Sequence, residues 1–236
     1  MTTVEAVADE SPRAKTITLD APDWPGHIAG QHVDVRLTAE DGYQAERSYS
    51  IASAPEDTRL ALTVERIEDG EVSAYLTEEL RHGDELELRG PVGGHFTWNV
   101  DDGGPLLLLA GGSGLVPLMA MLRHRAAQSS RVDARLLLSI RSLEDTLYRD
   151  ELAKLGSDQT TAVHYTITGA APPRWTGFTG RLNTTMLQAF APARDQRPRI
   201  FVCGPTAFVE HAADLLVELQ YDTDTIRAER FGPTGG

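Results

Sequence analysis

The sequence is short of cysteine, of basic residues and of long apolar runs, and each shortage removes a class of function. Cys203 is the only cysteine in 236 residues. No internal disulfide can therefore form, and the four thiolates that normally hold an iron–sulfur cluster are missing from this chain. Lysine and arginine number 22 against 35 acidic side chains, a formal charge of −13. That balance opposes attraction to a phosphate backbone or an anionic membrane, so neither nucleic acid nor membrane is expected as a partner. The apolar run from Pro105 to Ala110 is too short to cross a bilayer, and residues 1–13 lack the basic-then-apolar pattern of a secretory signal. A cytoplasmic location is the expectation. The seven histidines are scattered, with no one-turn pair beside a carboxylate, and no metal site is expected.

What is present is a chain that is 41% hydrophobic, enough for real cores, and that changes rhythm near its middle. Up to about residue 100 it reads as short strands. Segments 16–19, 32–37, 59–64 and 84–88 alternate apolar with polar residues, and proline and glycine clusters separate them. A small antiparallel barrel or sandwich is the economical reading, with one helical patch from Val72 to Leu80. After residues 101–104 the strands become unbroken apolar runs, Leu106–Ala110, Leu136–Ile140 and Ile200–Cys203. Helical patterns lie between and after them, at Leu115–Ala127, Thr146–Leu155, Thr184–Phe190 and Thr206–Gln220. That alternation indicates a doubly wound parallel α/β domain. The expected division is residues 1–101 and 102–236, and residues 232–236 are expected to be loose.

The first apolar strand runs into Gly111-Gly112-Ser113-Gly114 and then into a helix with Pro117 in its first turn. Backbone N–H groups and a positive helix end at such a turn can hold a pyrophosphate, and glycine permits the close approach. By itself the turn is either a phosphate cradle or a plain strand-to-helix corner. A serine-hydrolase reading fails, because the flanks of Ser113 do not make G-x-S-x-G.

Three segments together carry a family resemblance. Arg47-Ser48-Tyr49-Ser50, then Gly112 to Pro117, then Cys203-Gly204-Pro205 occur in the order and spacing of the ferredoxin–NADP reductase superfamily, and the match runs from about residue 13 to 232. The resemblance implies an N-terminal antiparallel Greek-key barrel that binds flavin, followed by a doubly wound parallel α/β domain that binds the nicotinamide nucleotide. It casts Arg47 as the grip on the flavin phosphate, with Ser48 beside it, Tyr49 as the aromatic against the isoalloxazine and Ser50 as the hydroxyl near flavin N5. Gly70, Val72 and Ser73 resemble the second phosphate-binding segment. Arg66 is a further phosphate candidate, although an arginine on a strand is also an ordinary exposed side chain. Gly112, Ser113, Gly114 and Pro117 correspond to the nucleotide turn. Cys203, with Gly204 and Pro205, resembles the cysteine beside the nicotinamide. Ser139 and Arg141 fall where the family discriminates the adenosine 2′-phosphate. Glu229 and Phe231 resemble the last strand, which approaches the flavin.

The implied activity is that of a flavoprotein reductase using FAD and NADPH, with Ser50, Cys203 and Glu229 as catalytic candidates. The implied partner is a small iron–sulfur or other electron-acceptor protein, since no cysteine-rich ferredoxin domain accompanies these residues. Two other readings are a reductase of free flavin or small acceptors and a non-catalytic flavin- or nucleotide-binding regulatory subunit. The intact Arg47–Ser50 and Cys203–Pro205 segments argue against the regulatory subunit.

Overall fold

The computed structural model describes residues 1–157 and 160–231, so the stretch 232–236 expected to be loose lies outside the described residues. Six strands make the first sheet: β1 (Thr2–Ser11), β2 (Ala14–Asp20), β3 (His32–Thr38), β4 (Gln44–Ser50), β5 (Leu60–Glu65) and β6 (Glu85–Val92). Their order is β4-β3-β6-β1-β2-β5, with every pairing antiparallel. An antiparallel bridge between Ile51 and Leu62 ties the chain just past β4 to β5 and closes the sheet on itself. Closure removes the edges that an open sheet would expose. Period-2 residues fill the interior: Ile17 and Leu19, Val33 and Val35, Leu62 and Val64 are all at most 3% exposed. Helix α1 (Glu71–Ala74) and the π-helical turn after it (Tyr75–Glu79) bury Val72 and Leu76 in the same core.

The second sheet is wholly parallel. It contains β7 (Leu106–Gly111), β8 (Ala134–Ile140), β9 (Thr161–Ile167), β10 (Phe178–Thr179), β11 (Arg199–Pro205) and β12 (Ile226–Phe231), in the order β10-β9-β8-β7-β11-β12. Alternate residues of one strand feed opposite cores. Leu106, Leu108 and Ala110 pack with helices α2 (Leu115–Ala127) and α3 (Arg149–Leu155), whereas Leu107 and Leu109 pack with α4 (Thr184–Phe190) and α5 (Thr206–Glu218). Burial on both faces is why these strands read as unbroken apolar runs. From β7 the chain builds outward through β8 to β10, then returns to the other side of β7 with β11 and β12. Such a reversal opens a crevice at the carboxyl ends of the strands.

The core around α2 continues into the barrel side through Ala29, Ala52, Phe96 and Trp98, so the two sheets share buried apolar contacts. Among the described residues no helix is long and apolar enough to cross a membrane.

One expectation needs correction. The helix read from Thr146 begins at Arg149, because Tyr148 holds a left-handed backbone with φ of +53°. Thr146 and Leu147 precede that break, and both are buried outside the helix.

Candidate functional site

On the barrel, the Arg47–Ser50 segment lies in β4 with its residues alternating between faces. Arg47 is exposed, and its Nη1 donates to the backbone carbonyl of Glu46 at 2.7 Å. That leaves most of the guanidinium fork free for an anion. The Tyr49 ring packs against the barrel core, and burial pushes its phenol up to about 12. It is therefore an uncharged aromatic surface at neutral pH. Ser48 turns the other way and donates to Asp34 Oδ1 at 2.6 Å.

The start of α1 lies against β4, tied by Tyr43 Oη donating to Glu71 Oε2 at 3.1 Å. The Ser73 hydroxyl is consumed locally, accepting from Ile67 N at 3.2 Å and donating to Gly70 O at 3.1 Å. The Val72 and Ser73 side chains are both buried. A phosphate at this turn would meet main-chain N–H groups, since the hydroxyl is already used. Arg66 is turned to Glu78, with Nε 3.0 Å from Oε1, which neutralises it on an exposed surface.

In the parallel sheet, β7 and β11 are hydrogen-bonded neighbours, with Ala110 in register with Cys203. This brings together two motifs about ninety residues apart in sequence. Gly112 has φ of +54°, and a Cβ on Gly114 would fall 2.1 Å from the carbonyl oxygen of Cys203, so only glycine lets the turn press against the Cys203–Gly204 backbone. Ser113 is half-buried within this turn, and Pro117 is buried in the first turn of α2. Gly204 rests against Gly111, and Pro205 leads into α5.

Cys203 is fully buried, and burial, reinforced by the neighbouring carboxylate of Glu229, raises its thiol far above the ordinary range. It is a neutral packing surface here, not a nucleophile. Ser139 sits near the end of β8 in register with Gly111, and Arg141 follows it exposed. The neighbouring Asp145 is turned back to accept from Ser142 N and Oγ at 3.0 and 2.9 Å. That carboxylate is thereby occupied within its own turn.

The two sheets meet at a small titratable cluster. Glu229 of β12 is in register with Cys203, and its Oε1 lies 3.9 Å from Nδ1 of His32 on β3. His32 in turn is the register partner of Ser50. Burial lifts the Glu229 carboxyl to about 7, so at neutral pH it is shared between its protonated and ionised forms. Ser50 Oγ is buried with no hydrogen-bond partner. A buried hydroxyl left unpaired is costly unless something else completes it. Phe231, two residues beyond Glu229 on the strand, pairs in register with Pro205 and is half-buried.

His32 is the site residue that sequence reasoning missed. In sequence it is one polar position of an alternating strand, and only the pairing of β3 with β4 and the approach of β12 reveal it. A cavity of about 330 Å³ lined by His27, Glu56, Asn99 and His124 contains none of the motif residues.

Comparison with known proteins identifies the two halves. Residues 3–98 match the model of an oxidoreductase FAD-binding domain, and residues 108–214 that of an oxidoreductase NAD-binding domain. The chain is 35% identical over 210 residues to the glycine betaine monooxygenase reductase subunit of Pseudomonas aeruginosa, covering 87% of this chain but only 56% of that protein. It is 32% identical to ferredoxin–NADP reductase B of Sorangium cellulosum, covering 96% of this chain and 95% of that one. In fold it is similar to the FAD/NAD-binding domain of nitric oxide dioxygenase from Vibrio cholerae, with a TM-score of 0.87 at 24% identity over 98% of both chains. With a flavin-binding barrel matched in its first half and a nucleotide-binding sheet in its second, the chain belongs to the ferredoxin–NADP reductase superfamily.

Proposed function

We propose that this chain is a flavoprotein reductase that takes a hydride from NADPH onto FAD and passes the electrons to a separate acceptor protein, of iron–sulfur type. The observation that carries the reading is the unpaired, buried hydroxyl of Ser50, whose register partner His32 meets Glu229 of the Glu229–Cys203 pair on the other sheet. A polar ring edge is what would complete that hydroxyl, and the carboxyl opposite is poised near 7. FAD, when bound, supplies the chemistry that accepts two electrons together and releases them one at a time.

The chain's own residues then divide the work. Arg47 and the main-chain N–H groups of Val72 and Ser73 hold the flavin phosphates, while Tyr49 offers its ring face. Gly112, Ser113 and Gly114 take the nucleotide pyrophosphate at the start of α2, backed by Pro117, Gly204 and Pro205. Cys203 places the nicotinamide by shape, Phe231 closes the same side, and Glu229 holds a proton near Ser50. Arg141, with Ser139, selects the 2′-phosphate, which favours NADPH over NADH. The division of labour corresponds to residues 1–101 for the flavin and 102–236 for the nucleotide.

A protein acceptor is supported by the names of two relatives, a monooxygenase reductase subunit and a ferredoxin–NADP reductase. Anaerobic stopped-flow at the flavin absorbance tests the whole reading. NADPH should bleach the flavin faster than NADH at equal concentration, and Arg141→Ala should erase that preference. A purified, FAD-supplemented sample that stays colourless and binds neither dinucleotide removes the proposal.

A further inference from the structure

Helix α2 carries the glycine turn at its start and touches the barrel at Arg123, eight residues past Leu115. That is a rigid span of about 12 Å. At its far end Arg123 Nη1 donates to the carbonyl of Ala52 at 2.6 Å, two residues beyond Ser50. Its Nε and Nη2 donate to the two carboxylate oxygens of Glu151 on α3, at 2.9 and 2.6 Å. The guanidinium carbon sits 4.6 Å from the centre of the Tyr148 ring. Glu151 keeps this half-buried arginine charged despite its desolvation.

Tyr148 extends the joint into the barrel. Its hydroxyl is 2.5 Å from Thr63 Oγ1 on β5, and its backbone N–H donates to Glu10 Oε2 on β1 at 3.1 Å. Glu10 also accepts from Thr16, whose hydroxyl pairs with Thr63 at 2.7 Å. A buried tyrosine in the left-handed region persists only where its surroundings over-determine it. Here those surroundings come from both halves of the molecule. Apolar packing would bury the seam equally well but would not fix its register, whereas these contacts are directional, and the one from Arg123 to Ala52 joins the helix that bears the nucleotide turn to the segment that bears Ser50.

The geometry points to Arg123 as a positioning residue that sets the separation of the nucleotide-binding turn from Ser50, acting through the Ala52 carbonyl and Tyr148. This rests on the reductase reading above, since the separation matters only if a hydride crosses it.

The test uses flavin-loaded Arg123→Met, Arg123→Lys and Tyr148→Phe. In Arg123→Met the flavin content should stay full and the apparent Kd for NADPH should move by no more than roughly threefold, while the limiting bleaching rate falls on the order of tenfold or more. Arg123→Lys should recover part of that rate, because an ammonium can still donate to Ala52 O but cannot also hold Glu151 in a fork. Without any nucleotide, amide hydrogen exchange over residues 51–54 should quicken in Arg123→Met. A limiting rate within roughly twofold of the unsubstituted protein, with unchanged exchange, overturns the inference. If Arg123→Met does not fold, Arg123→Lys and Tyr148→Phe decide it by the same two readouts. If the unsubstituted protein is not bleached by either dinucleotide, the reductase reading fails, and the exchange comparison still decides whether Arg123 ties the two segments.

Discussion

Glu229 Oε1 and His32 Nδ1 face each other across the junction of the two sheets at 3.9 Å, each side chain about a quarter exposed (24% and 24%). The barrel thus contributes a titratable group to what is otherwise the nucleotide side of the site. Neither residue's own strand pattern announces the meeting.

The raised pKa of Glu229 has a definite sign in stability. Its folded value, about 7, lies above its ordinary 4.5 because burial penalises the charge. The stabilisation from the protonated form is complete below about 4.5 and is lost as pH rises toward 7. Glu229→Gln should therefore become progressively more stable relative to the unsubstituted protein across that window, with a slope of up to about 1.4 kcal/mol per pH unit. Urea midpoints at half-unit steps of pH read the slope, and a pH-independent difference would contradict the assignment.

Gly114→Ala should strike the nucleotide side alone. The added methyl meets the Cys203 carbonyl at 2.1 Å, so the turn must shift. Overpacking of this kind costs about 1–3 kcal/mol. Flavin content should remain normal while nucleotide affinity falls, as measured by fluorescence titration. Unaltered affinity would show that the turn does not hold the nucleotide.

Arg47→Ala should lose flavin with its fold intact. The side chain donates only to the exposed carbonyl of Glu46 among the described residues, so little native structure depends on it. A charge-assisted phosphate contact is worth on the order of 1.5–3 kcal/mol, enough to leave much of the protein colourless after gel filtration. Full flavin occupancy in the variant would refute the role.

Cys203 should resist alkylation. With the thiol buried and its ionisation strongly disfavoured, iodoacetamide at pH 8 should leave the native protein unlabelled and label it fully in urea. Rapid native labelling would mean that the strand end opens.

Much of the sheet domain was legible because its strands are buried on both faces. Leu106–Ala110 and the bounds of α2 and α4 follow from apolar runs and helical spacing. β1 and β9 were not legible. Along β1 only Thr2 and Val4 are buried, and β9 has the two-residue β10 as its outer neighbour, so its residues are mostly half-buried and mix His164 with apolar positions. Tyr148 shows the same limit at a helix start, where contacts to Glu10 and Thr63 override local spacing. Among the site residues, the motif segments could be read by resemblance. His32 and Arg123 could not, since His32 meets Glu229 of the other sheet and Arg123 meets Ala52 far away in sequence.

The position of β11 between β7 and β12 bears on how the molecule comes into being. As a ribosome extends the chain, the glycine corner emerges with nothing behind it, and its supporting wall at Cys203 arrives only some ninety residues later. Until that strand slots into the gap, the corner lacks the Cys203–Gly204 backbone that it presses against. Competence to bind dinucleotide should then appear abruptly and late in synthesis, well after the barrel has had every residue it needs to close.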